Sequence, residues 1–332
     1  MKIVDHAGAL FYQGSMMDRI AVATMAVLLP LSLSAEEKPL PAYKPELRVK
    51  GQLNSVGTDA LNNLMALWGE EFKGLHPDCT IQIEGKGTSA AMFALARGIS
   101  DVGPMSRLPV PKELDLFSSA RPNDVLLLIP VAMDAMCIVV RKDNPLEQVS
   151  LTQLDAMFST TLKRGATKPI THWSQLGVGG DLADERIRLV GRNSAMISHG
   201  FFKKVVLLKG DFRDDVQEQR GSAMVVASLE PGYLGYVGFG YVTKNAKSLK
   251  VKNEDEYVAP TFASIRSGAY PISRELYIAV PAHKEKGIQP EVREFLRYVL
   301  SKEGQTIVEK DGYVPLGHEQ CKKGIEMLGA SQ

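Results

Sequence analysis

From residue 47 onward, short runs in which apolar residues alternate or fill the run give way repeatedly to stretches in which they recur every three or four positions. The first pattern buries a strand and the second buries one face of a helix, so their alternation implies stacked α/β layers. LRVKG (47–51), CTIQIE (79–84), IRLVG (187–191), LGYVG (234–238) and ELYIAV (275–280) read as strands. Leu61, Leu64, Met65, Trp68 and Phe72 form a helical stripe with Asp59 near its start, and AAMFALARG (90–98) reads as a helix ended by Gly98. LTQLDAMF (151–158), SHGFFKKVVLL (198–208), SAMVVASL (222–229), PEVREFLRYVLSK (290–302) and EGQTIVEKDG (303–312) are further helices. The apolar runs VLLLIPVAM (125–133) and AMCIVVRK (135–142) read as two strands on either side of Asp134. With a length of 332 residues they favour two sheets.

The N-terminus reads differently. Residues 20–33 (IAVATMAVLLPLSL) are uncharged and apolar, too short for a comfortable membrane span, and match a signal-peptide core. Arg19 supplies the positive flank, and Ser32-Leu33-Ser34-Ala35 supplies small residues for cleavage before Glu36. Met16 or Met17 then serves as a start, leaving residues 1–15 as an upstream extension; a buried N-terminal helix is the alternative reading of the run. No cysteine follows it, so no lipid anchor is expected, and the mature chain is expected to be periplasmic or secreted. Residues 36–46 (EEKPLPAYKPE) hold three prolines and read as an extended linker. The three cysteines cannot form a disulfide framework: Cys137 reads as core, and a Cys79–Cys321 bridge stays open.

Composition matters chiefly for partners. The 39 basic and 38 acidic residues leave a formal charge of +1, which gives no field for nucleic acid or an acidic membrane. Loss of a leader over 1–35 removes Lys2, Arg19, Asp5 and Asp18 and leaves that balance unchanged. The chain has no HExxH and no GxSxG, and its six histidines are scattered singly, so neither a metal, a cofactor nor catalysis is expected. The Gly85-Lys86-Gly87-Thr88-Ser89 turn fails phosphate-loop spacing, because Gly87 separates the lysine from the hydroxyl residue. It nevertheless leads from a strand into a helix start, where unpaired N–H groups and a positive dipole end favour an anion. Capping of the helix by Thr88 or Ser89 is expected as well. The same local design recurs at Gly57-Thr58-Asp59, at Gly103-Pro104-Met105-Ser106-Arg107 and at Gly191-Arg192-Asn193-Ser194. Four such turns, two with arginine, point to an oxyanion held at strand C-termini.

The ordered segments GxxNSVGTDALNNLMALW, IQIEGKGTSAA, DVGPMSR, GRNSA followed by GFFKK, GDFRDDV, GSAMVV, GYLGYVGFGY, YPISRELYIAV and EFLRYVLSKEGQTIVEKDGYVPL carry a family likeness. Over roughly residues 47–316 the chain resembles the phosphate-binding subunits of ABC phosphate importers. The resemblance implies an α/β, two-lobe type II periplasmic-binding-protein fold with paired hinge strands and an interlobe ligand cleft. It divides the chain into lobe 1 over 47–134 plus 271–332 and lobe 2 over 135–270. It implies phosphate contacts at Thr58, Thr88, Ser89, Ser106, Arg107, Arg192, Ser194 and Ser198. Three departures stand out: Ala60-Leu61 replaces threonine and an aromatic, Ser106 replaces an acceptor aspartate, and Met196-Ile197-Ser198 replaces Ser-Gly-Thr. An isoleucine in place of that glycine removes backbone freedom and crowds the turn.

The function implied is capture of inorganic phosphate outside the cytoplasm by a monomer that hands it to an ABC permease, with no nucleic-acid partner. The alternative is a paralogue whose altered site makes it a sensor, a scaffold or a binder of another oxyanion. A phosphatase on the same cleft would need a base beside Thr88 or Ser198 that the local sequence does not supply.

Overall fold

The computed structural model describes residues 38–329; the leader and its extension, read over residues 1–35, lie outside them. Among the described residues the strands are β1 (Gly51–Gly57), β2 (Cys79–Gly85), β3 (Gly103–Met105), β4 (Asp124–Arg141), β5 (Gln148–Val149), β6 (Arg188–Arg192), β7 (Gln217–Gln219), β8 (Tyr233–Gly238), β9 (Ala246–Ser248), β10 (Lys250–Asn253), β11 (Glu256–Val258) and β12 (Ser273–His283). The α-helices are α1 (Asn62–Leu75), α2 (Thr88–Arg97), α3 (Pro111–Ala120), α4 (Leu151–Phe158), α5 (Ile197–Val205), α6 (Ser222–Ala227), α7 (Phe262–Arg266), α8 (Pro290–Val299), α9 (Lys302–Lys310) and α10 (His318–Gly329).

The two apolar runs around Asp134 are one strand, not two. β4 continues for 18 residues, pairing antiparallel with β12 up to Ala135 and with β8 from Met136 onward. Asp134 is therefore where the strand changes neighbours rather than where it ends. Arg274 stands directly opposite it and donates Nε (2.9 Å) and Nη2 (2.7 Å) to Oδ2, which makes a charge tolerable inside an apolar run. Pro130 sits where the register shifts between Leu276 and Tyr277, a bulge that accommodates a residue without an N–H. The bulged Val131 carbonyl is taken by the buried Gln305 side chain at 3.0 Å.

Because β4 runs through, the principal sheet is continuous, in the order β3-β12-β4-β8-β6-β7, with β9 also on β4. Two small sheets accompany it, β1-β2 and β11-β10-β5, so the expectation of two sheets is corrected to three. β1 begins at Gly51, opposite Cys79, rather than at Leu47. Nothing in that register stands opposite residues 47–50, and only Val49 of them is buried. Cys79 and Cys137 are buried free thiols, so the Cys79–Cys321 bridge does not form.

The α1 stripe behaves as its spacing predicts. Leu64, Met65, Trp68 and Phe72 are fully buried, each such burial stabilising by about 1.5–3 kcal/mol. Trp68 Nε1 donates to the Gly304 carbonyl at 2.9 Å and Phe72 meets Phe295 edge-on at 5.4 Å, so α8 and α9 return to pack on α1. The proline-rich segment has no regular structure, yet it is strapped to these helices. Tyr43 donates its N–H to Glu303 (2.7 Å) and its hydroxyl to Glu294 (2.6 Å), and the Pro41 carbonyl accepts from Lys302 N (3.0 Å).

Candidate functional site

The three turns that follow β1, β2 and the short β3 come together. Thr58 N donates to the Pro104 carbonyl at 2.8 Å, which docks the end of β1 on the third turn. Lys86 N and Gly87 N both donate to the Gly57 carbonyl, at 2.8 and 2.9 Å, which docks the second turn on the first. Gly87 takes φ 86° and ψ 162° as the N-cap of α2, a backbone state that glycine reaches without strain. Thr88 and Ser89 are thereby drawn into the first helical turn, and neither caps the helix as expected. Their hydroxyls are released for other partners. Thr58 Oγ1 donates to Ser106 Oγ (3.3 Å), Ser106 N donates to Thr88 Oγ1 (3.2 Å), and the Thr88 and Ser106 hydroxyls are 3.4 Å apart. Thr58 and Thr88 are buried and Ser106 is half-buried.

Ser89 and Arg107, expected beside these three, are drawn aside by a residue not singled out from the sequence. Arg107 grips Glu113 bidentately, Nη1 to Oε2 at 2.8 Å and Nη2 to Oε1 at 2.7 Å. Ser89 Oγ donates to Glu113 Oε1 at 2.8 Å and accepts from Arg107 Nη2 at 2.9 Å. The bond from Arg107, with those from Val110 N and Ser89, holds the Glu113 carboxyl down to about 2. The signal for this residue was the start of α3, where Pro111 occupies the first helical position and Glu113 accepts the Val110 N–H at 2.9 Å.

Arg192 closes β6. Its Nη1 donates to Ser222 Oγ and its Nη2 to the Arg220 carbonyl at 3.2 Å, while its Nε is buried with no hydrogen-bond partner among the described residues. Ser222, at the start of α6, was also not foreseen. Among the described residues no carboxylate lies within ion-pair reach of Arg192, whereas Arg107 is paired with Glu113 and Arg274 with Asp134. Beneath it, Gly191 lies against Tyr236, whose phenol burial pushes well above its ordinary range and whose ring stacks on Phe202 at 3.9 Å. Ser194 is exposed in a turn closed by Met196 N donating to the Asn193 carbonyl at 2.9 Å. Ser198 is half-buried in the first turn of α5. Ile197 is the first residue of that helix and needs no left-handed backbone, so the conformational cost expected from losing glycine does not arise. Its bulk remains. Phe201 of α5 lies under the Arg274 guanidinium at 4.1 Å, which ties this turn to the place where β4 changes neighbours.

Residues 43–303 match a family model described as a PBP superfamily domain. Over 305 residues the chain is 41% identical to the phosphate-binding protein PstS of Pseudomonas aeruginosa, which spans 90% of this chain and 93% of that relative. The chain belongs to this phosphate-binding protein family of the PBP superfamily. A PstS of Bacillus subtilis is 24% identical over 280 residues, covering 82% of this chain and 83% of the relative. Among solved structures, a possible phosphate binding protein from Planctomyces limnophilus superposes with a TM-score of 0.69 at 25% identity, covering 85% and 99% of the two chains. An ABC-type phosphate transport receptor from Vibrio cholerae gives 0.64 at 21%, covering 80% and 99%, a likeness of fold alone. Family membership makes the chain a substrate-binding protein of the type II periplasmic-binding class and not an enzyme. The long β4 and β12 pair antiparallel, Asp124–Ala135 against Ser273–His283.

Proposed function

We propose that this chain captures inorganic phosphate between two lobes and delivers it to an ABC permease. The observation that carries the reading is the donor set: Arg192 without a carboxylate partner among the described residues, and the Thr58, Thr88 and Ser106 hydroxyls gathered at three strand ends. Helix-start N–H groups at Thr88 and Ser198 add donors that have no acceptor within their own helices. Lobe boundaries near 134/135 and 270/271 agree with the change of partner along β4 and with the return of α8 and α9 to α1. Closure of the lobes on the anion is then a hinge transition biased by the ligand. Removal of a leader over residues 1–35 would release the protein outside the cytoplasm, where it acts as a monomer.

Isothermal titration of refolded, phosphate-free protein tests the reading. A single exothermic binding event is expected, and phosphate at 100 times its Kd should stabilise the fold by about 2.7 kcal/mol. No heat and no thermal stabilisation at millimolar phosphate would refute it. Ser106, in place of the family's acceptor aspartate, favours a second reading in which other tetrahedral oxyanions also bind, because a hydroxyl does not repel an unprotonated anion as a carboxylate does. Sulfate binding within tenfold of phosphate supports that reading, and sulfate exclusion refutes it.

A further inference from the structure

Glu113 holds a set of donors that suits an oxyanion as well as it suits a carboxylate. Its two oxygens receive both arms of the Arg107 guanidinium, the Ser89 hydroxyl and the Val110 N–H, all between 2.7 and 2.9 Å. Ser89 and Arg107 are the chain neighbours of Thr88 and Ser106, which belong to the hydroxyl cluster. We propose that Glu113 competes with the bound oxyanion for Ser89 and Arg107 and so sets the affinity and charge preference of the site. The proposal rests on the phosphate-binding reading above.

Three features support it. Glu113 is sheltered, with a side-chain exposure of 12%, and Arg107 is partly so at 32%, which leaves the pair less screened than a fully exposed one. Arg107 Nη1 also donates to the Leu108 carbonyl at 2.9 Å, which fixes the guanidinium in the plane that the carboxylate occupies. The single hydroxyl proton of Ser89 points to Glu113 Oε1 and is therefore withheld from any other acceptor. While the pair holds, an incoming anion meets three hydroxyls and Arg192. It gains nothing from Arg107 and is repelled by a fixed carboxylate close by. Glu113 is thus a positioning residue whose removal should strengthen anion binding, opposite in sign to the loss of a merely structural support.

The test is phosphate titration into phosphate-free, full-length wild type, E113Q and E113Q/R107A, with circular dichroism to verify folding. Glu113→Gln keeps the side chain's size and an acceptor for Val110 N while removing the charge. E113Q should bind phosphate about tenfold more tightly, the size of one charge-assisted hydrogen bond gained net of ordering the side chain. Adding Arg107→Ala should abolish that gain. Unchanged or weaker binding by E113Q, or a gain that survives R107A, overturns the proposal. Should E113Q fold poorly, Glu113→Ala carries the same expectation and the same refutation. Wild-type protein that binds no phosphate overturns the functional reading and the proposal together, an outcome distinct from a wild type that binds and an E113Q that binds no better.

Discussion

Replacing Gly191 with alanine would probe how tightly the arginine turn is seated. A Cβ at that position would stand 2.6 Å from Tyr236 Cε1 and 2.9 Å from its hydroxyl, well inside van der Waals contact. Tyr236 has nowhere to retreat. Its ring lies 3.9 Å from Phe202 at an interplanar angle of 12°, Phe158 meets it edge-on at 5.8 Å, and it is fully buried. Either β6 lifts off the aromatic stack or the stack opens, and overpacking of this kind costs about 1–3 kcal/mol. Each kcal/mol corresponds to roughly 2–4 °C in Tm for domains of 150–250 residues. The same shift moves Arg192, the next residue, away from Ser222 Oγ and the Arg220 carbonyl, so phosphate affinity should fall by about tenfold. Differential scanning fluorimetry and calorimetry on G191A, Y236L and the double variant separate these effects. Leucine at 236 makes room for the new methyl, so the double variant should be more stable than the sum of the singles by about 0.5–3 kcal/mol. A G191A protein with wild-type Tm and affinity, or strictly additive singles, refutes the account.

Tyr43→Phe removes a donor from Glu294, whose side chain is 1% exposed, and should destabilise by about 1.5–3 kcal/mol in urea titrations while leaving phosphate affinity unchanged. A change below about 0.5 kcal/mol would show that the strap is decorative. Cys79 and Cys137 are buried thiols, Cys137 pushed up by burial, so dithiothreitol should leave Tm unchanged and both thiols should resist Ellman's reagent until the chain unfolds; a reductant-sensitive Tm would contradict this. The folded Glu113 carboxyl lies at about 2, below its unfolded value, so the unfolded state binds the extra proton and the ion pair's contribution is present above about pH 4.5. That contribution should fade as pH drops toward 2, and E113Q should flatten this part of the stability profile; an identical profile in E113Q refutes the assignment.

Where the sequence was legible, one local signal settled the matter. The α1 stripe, the end of α2 at Gly98 and the span of α4 each follow from spacing or a cap and survive into the structure. Of the site, the strand-to-helix turns were legible because hydroxyls after glycine at a strand end carry their own reason. What escaped was set by pairing at long range. Asp134 looks like a strand break until Arg274, 140 residues away, is seen opposite it. The proline-rich segment looks like a free linker until Tyr43 finds Glu294 and Glu303. Thr88 looks like a cap until Gly87 occupies that position with a backbone state closed to most residues. Ser89 and Arg107 read as unpartnered donors until Glu113, from α3, is seen to accept from both.

The near-neutral charge then becomes a statement about the site. A cleft lined by uncompensated arginines would attract any anion, including the carboxylates and nucleic acids that surround a cell. Arg107 and Arg274 are instead each answered by a carboxylate at hydrogen-bond distance, the first by Glu113 and the second by Asp134. Among the described residues Arg192 has no carboxylate within ion-pair reach, and hydroxyl and N–H dipoles act only over a few ångströms. Such dipoles favour an anion small enough to reach several of them at once, and they add nothing to a field at long range. On the phosphate-binding reading proposed above, pairing Arg107 with Glu113 and Arg274 with Asp134 leaves selectivity for a compact oxyanion to Arg192 and to short-range dipoles.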